Sequence, residues 1–268
     1  MQLEQAIFTS SQRSRIKGYQ LVCRSAGIDR NMAQELSRWS PSQLPDSADQ
    51  NDWFLSFYSL SHGFKAIART VWGGPEYSCR GGNRVVTLIC LTSTQQLAAY
   101  QNDPGLVAST ALSLGHLRMP LDIPRSLETM TLPDAPIRGC SDTNSFNLTN
   151  ASRTGVVPDS TPSWAPNLGA GDLRSASPNA SLLIETAELV NARKRVALVG
   201  VEQPLEFLRE LLPQLGGEIR AGLSFTTGLQ PSSQRPFQVH FVSDVDMRLQ
   251  ASLDGQGIRL LHANMGVA

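Results

Sequence analysis

Charge is scarce in this chain, and lysine scarcer still. Only 17% of its 268 residues are Asp, Glu, Lys or Arg, and Lys17, Lys65 and Lys194 are the only lysines, so the surface relies on Ser, Thr, Asn and Gln. The 23 basic residues balance 23 acidic ones, which leaves a formal net charge of zero. A neutral chain has no general attraction to nucleic acid or to an anionic membrane. It associates more readily than a charged one, which suits a subunit of an assembly. The cysteines Cys23, Cys79, Cys90 and Cys140 contain no CxxC pair, and no nearby histidine completes a zinc-ligand pattern. No apolar run approaches the ~20 residues of a membrane span. The start, MQLEQAIFTSSQRSR, lacks the basic and apolar regions of a signal peptide. The expectation is a cytoplasmic chain with free thiols, without nucleic-acid or membrane partners.

Catalytic signatures are missing as well. VALVGVEQP has the strand–turn–helix setting of a phosphate-binding loop, but no GxxxxGKS or GxxxxGKT is present. Without the lysine and the run of backbone N–H groups there is no phosphate cradle, so Gly200 reads as a tight turn. GGPEYSCRGG lacks the GxGxxG order and leads into a strand rather than a helix. There is no GxSxG, and His62, His116, His240 and His262 form neither HxxxH nor HExxH. His240 alternates with Val239 and Phe241, which predicts a solvent-facing ring. Glu4, Glu76 and the Asp244/Asp246 pair show no readable carboxylate spacing. The reading is of no catalytic residue, no metal site and no cofactor. One nucleophile remains as an alternative: Cys79, beside Arg80 and with His62 across the sheet, would make a cysteine-dependent hydrolase.

What is present is a mixed α/β (α+β) pattern. At 41%, the hydrophobic fraction is enough for globular cores. QLEQAIFT and YQLVCRS alternate as strands, and Asp29 is placed to cap the helix RNMAQELSRW, where Met32, Leu36 and Trp39 recur at helical spacing. Residues 53–60 and 64–72 read as a hairpin over a Ser-His-Gly turn. Residues 84–91 read as a strand buried on both faces, with Cys23 and Cys90 as small core residues. Thr94 reads as the cap of a helix to about Tyr100, and Asp103-Pro104 opens another to about Leu114.

Residues 138–180 change in kind, to Ser, Thr, Asn, Pro and Gly without periodicity. They read as a flexible linker between an N-terminal α/β domain (1–137) and a C-terminal α/β domain (181–268). In the second unit SLLIETAELVNA reads as a helix with a Ser cap, and RVALVGV as a parallel-type strand. LEFLRELLPQL reads as a helix ended by Gly216-Gly217. LSFTTGL and PFQVHFV read as strands, Asp244 as the cap of a last helix, and IRLLH as a terminal strand. The expected architecture is two units with mixed sheets flanked by helices, with the terminal strands able to complete the first sheet.

The most distinctive stretch is PEYSCRGGNRVVTLICL, residues 75–91: large polar groups around Gly81-Gly82, then a buried strand. Polar side chains on a turn beside a rigid strand form recognition sites, and equally they pin turns. Arg13 and Arg15 add basic residues between the first two strands, where a solvated hairpin tip accounts for them equally well. EQAIFTS…GYQLVCRSAGI, EYSCRGGNRVV and LLPQLGGEIRAGLSFTTGLQP occur in that order. In this the chain resembles the bacterial GTPase-associated protein one family, its N-terminal domain of the second type followed by its middle domain. The family's YxSGRxGN turn is matched by Tyr77 to Asn83, with Cys79 where glycine is usual. Its LP…LTFTT segment is matched by Leu212-Pro213 and by Leu223 to Thr227. The resemblance implies a non-enzymatic adaptor or scaffold in a conflict or signalling system, with a protein partner such as a GTPase. The candidate partner contacts are Tyr77, Arg80, Asn83, Arg13 and Arg15. A purely structural subunit of a larger assembly is the other alternative.

Overall fold

Local capping and turn chemistry account for most elements of the N-terminal half. The computed structural model describes residues 1–12, 17–45, 48–49, 52–76, 83–120, 122–136, 179–231, 235 and 237–263. Strands β1 (Gln2–Ser11) and β2 (Gly18–Arg24) pair antiparallel. Helix α1 (Arg30–Trp39) starts where Asp29 accepts the Met32 N–H at 2.8 Å. It stops at Ser40, whose extended backbone is the conformation that the following Pro41 imposes. β3 (Trp53–Ser59) and β4 (Phe64–Pro75) form the expected hairpin. Its turn places His62 at φ 77° and Gly63 at φ 78°. β5 (Asn83–Ser93) is buried from Val85 to Thr92. The cap of α2 (Thr94–Ala99) is Ser93, one residue before the expected Thr94. Ser93 Oγ accepts the Gln96 N–H while Gln96 Oε1 accepts the Ser93 N–H, and this reciprocal box decides the start. Asp103 caps α3 (Pro104–Ser113) through Gly105 and Leu106. A short β6 (Met130–Thr131) pairs with β1.

The described chain resumes at Asn179; the linker reading falls outside it except at its last two residues, Asn179 and Ala180, which belong to the start of a helix. α4 (Ala180–Asn191) takes Asn179 at its cap position without a side-chain bond, so Ser181 lies inside the helix rather than capping it. β7 (Arg195–Val199) leads through Gly200, at φ 73°, to α5 (Pro204–Leu211) and a 3-10 turn, Leu212–Gln214. Gly216-Gly217 does not only end that helix; it opens α6 (Gly217–Gly222). The two segments read as strands shorten to β8 (Phe225–Thr226) and β9 (Val239–Val242). Asp246, not Asp244, caps α7 (Met247–Gly255). Asp244 accepts the N–H of the adjacent Val245 at 2.7 Å, which leaves Asp246 to take the Leu249 N–H. β10 (Ile258–His262) closes the described chain.

Among the described residues ten strands form one mixed sheet, in the order β10-β7-β9-β8-β3-β4-β5-β1-β2, with β6 beside β1. β10, β7, β9 and β8 run parallel, and the rest is antiparallel. The strands that precede residues 137–178 and those that follow them meet at β3 and β8. There Thr227 accepts the Leu55 N–H at 2.9 Å, its own N–H reaches Leu55 O at 3.0 Å, and Ser56 Oγ donates to Thr226 Oγ1. One face packs on α2, α3, α4 and α5 through Leu88, Val107, Val190, Leu198, Phe207 and Phe241. The other packs on α1 through Phe8, Leu36, Tyr58 and Phe237, and on α7 through Ala197 and Leu253.

Because both faces are covered, β9 has no solvent side. His240, expected to face water, is 0% exposed. Alternation with apolar neighbours signals a wet face only when that face is left open.

Candidate functional site

The parallel quartet sets the site. The connection from β7 leaves through α5, which packs Phe207 against Phe241 on one face, ring centroids 5.8 Å apart. The connection from β9 leaves through α7, which packs Leu253 on the other face. Adjacent parallel strands whose connections depart to opposite faces open a crevice at their carboxyl ends. A cavity of about 420 Å³ occupies that place, within the roughly 300–1,000 Å³ of small-ligand pockets. Val201 and Glu202 line it after β7, Ser243 and Asp244 after β9, and Gly228 and Gln230 after β8. The start of β3 supplies Asp52, Trp53 and Phe54, since β3 runs antiparallel to β8.

Its walls are apolar and its charges are all negative. Trp53, Phe54, Leu205, Phe241, Val242 and Leu249 give the apolar surface. Gly228 allows the Phe54 ring to lie directly on the backbone, for a Cβ there would come within 1.8 Å of a ring carbon. Asp52, Glu202 and Asp244 are exposed carboxylates, and no Lys or Arg is among the described lining residues. Asp52 accepts the Asp49 N–H at 2.8 Å. The first turns of α5 and α7 contribute partial positive charges of about +0.5 each. Three full negative charges outweigh them, and Pro204 deletes one of the N–H groups that would face an anion. The charge balance of the described lining thus disfavours a nucleotide phosphate, the usual guest at this place in a doubly wound sheet.

Beneath the crevice, burial holds the His240 ring neutral, its pKa falling from 6.5 to about 4. The Arg195 guanidinium adds to the effect. Phe237 packs edge-on to the ring at 5.8 Å, and its carbonyl offers only weak support to the charged form. Neither ring nitrogen has a hydrogen-bond partner among the described residues. Cys90 is buried in β5, its thiol pushed up to about 12 by desolvation. Among the described residues no group of three or more His, Cys, Asp or Glu is arranged to hold a metal, and no helix is long and apolar enough to cross a membrane.

Of the residues nominated from sequence, Asn83 is described: it is exposed, opens β5 and pairs across from Pro75. Below it, Arg84 Nε donates to Gly73 O at 2.7 Å, and the Val85 N–H donates to the Tyr19 hydroxyl at 2.9 Å. Burial raises the Tyr19 pKa. Tyr77, Cys79, Arg80, Arg13 and Arg15 lie outside the described residues. Strand directions put Asn83, Ser11 and Gly18 at the same end of the sheet as the crevice. Sequence reasoning missed the crevice. Its available signals were VALVGVEQP, weighed only as a phosphate loop, and Asp244, weighed only as a cap.

Residues 2–114 match the family model described as GTPase-associated protein 1, N-terminal domain type 2. The match runs from β1 through α3 and stops before α4. No curated protein matches the chain.

Proposed function

We propose that this chain is a non-enzymatic adaptor of a bacterial GTPase-associated conflict or signalling system, binding a GTPase or another protein partner. The match of residues 2–114 to a GTPase-associated N-terminal domain carries this reading. The crevice agrees with it in kind. It presents apolar walls and three carboxylates, a surface suited to a basic group of a protein partner. The resemblance of the later strands to the family's middle domain belongs to the same proposal, with the end of the sheet that carries Asn83 and the crevice as the contact region. Co-purification of the full chain with candidate bacterial GTPases tests the reading. Capture of one of them, weakened by Arg80→Ala or Asn83→Ala with little change in melting temperature, is the expected result. Failure to capture any of them overturns it.

A further inference from the structure

We infer that the crevice at the ends of β7, β8 and β9 receives an arginine side chain from a protein partner. The inference rests on the adaptor reading and names what that adaptor grips. The space is large enough for a long side chain and its apolar neighbours, at about 420 Å³. Its chemistry divides in two, as an arginine does. Leu205, Phe241, Val242 and Leu249 suit the methylene stem, while Asp52, Glu202 and Asp244 suit the cationic head. Charge decides the sign of the guest, for the carboxylates exceed the helix ends in charge and no cation among the described lining residues neutralises them. Geometry favours arginine over lysine. A planar guanidinium bonds a carboxylate through two parallel N–H groups and stacks on aromatic faces, which an ammonium does not. The wall already shows the second of these habits: the Arg69 guanidinium of this chain lies 5.2 Å from the centroid of the Trp53 ring. Phe54, seated on Gly228, offers another ring inside the crevice.

The test uses the full chain and two acetylated, amidated pentapeptides, Gly-Leu-Arg-Leu-Gly and the same peptide with citrulline in place of arginine. Citrulline keeps the shape and removes the charge. Calorimetry at low salt is expected to show the arginine peptide binding roughly tenfold more tightly. Glu202→Gln with Asp244→Asn is expected to erase most of that preference, and raised salt to reduce it. Both side chains are exposed, and an unchanged urea midpoint confirms that the variant is folded. Asp52→Asn is a second variant with the same expected direction. Equal affinity for the two peptides, no binding at millimolar peptide, or a preference that survives neutralisation overturns the assignment. A GTPase captured equally well by wild type and the Glu202/Asp244 variant overturns the crevice assignment and leaves the adaptor reading standing. Arginine-peptide binding without any GTPase capture does the reverse.

Discussion

Acidification should destabilise this protein through one ring. His240 sits in β9, paired with Ala197 on one side and Thr226 on the other, and is 0% exposed. Its pKa falls from 6.5 to about 4 because desolvation, reinforced by Arg195, opposes the charged form. The folded chain therefore binds this proton less readily than the unfolded chain. The neutral ring costs nothing extra above pH 6.5, and stability drains away as pH falls from there towards 4. Each pH unit between those two values is worth about 1.4 kcal/mol, so the full loss is about 3 kcal/mol, of which about 2 kcal/mol is gone by pH 5. That is a large part of a typical net stability of roughly 5–15 kcal/mol. Asp103, a buried cap whose pKa is raised, acts in the opposite sense, but it is common to wild type and variant. Urea midpoints at pH 7, 6 and 5 for wild type and His240→Leu isolate the effect. The variant removes two unpartnered ring nitrogens, so it should be at least as stable at pH 7. It should pull ahead of wild type by about 2 kcal/mol at pH 5. If the two proteins lose stability in parallel between pH 7 and 5, the reasoning about this ring is refuted.

Thr227→Val should cost about 1–3 kcal/mol in urea melts, because the buried Leu55 N–H loses the acceptor that fixes β8 to β3; an unchanged midpoint would show that this junction does not hold the sheet together. Gly228→Ala should lower stability by about 1–3 kcal/mol and weaken arginine-peptide binding, since the new methyl group displaces Phe54 from the crevice wall. Calorimetry and a thermal melt on one sample check both effects, and wild-type values in each would contradict the packing described.

Local chemistry was legible in the sequence wherever a residue acts on its immediate neighbours. Asp29 before a helical repeat, the Ser-His-Gly turn, Asp103-Pro104 and the β-branched run into Cys90 each specify an element through contacts within a few residues, and each appears where expected. The caps that shifted, from Thr94 to Ser93 and from Asp244 to Asp246, did so among adjacent candidates, where a single side-chain hydrogen bond decides. Only the tertiary structure could decide what depends on strand order. β8 pairs with β3 across a long gap in sequence, and no local pattern encodes a partner that distant. That pairing aligns the starts of β3 and β5 with the ends of β7, β8 and β9. It thereby brings Asp52, Glu202 and Asp244 to one cavity, although Asp52 lies far in sequence from the other two. The misreading of His240 has the same origin. Its alternation was visible, but whether the second face meets water is set by α1 and α7 packing across the sheet, and that coverage exists only once the chain has folded.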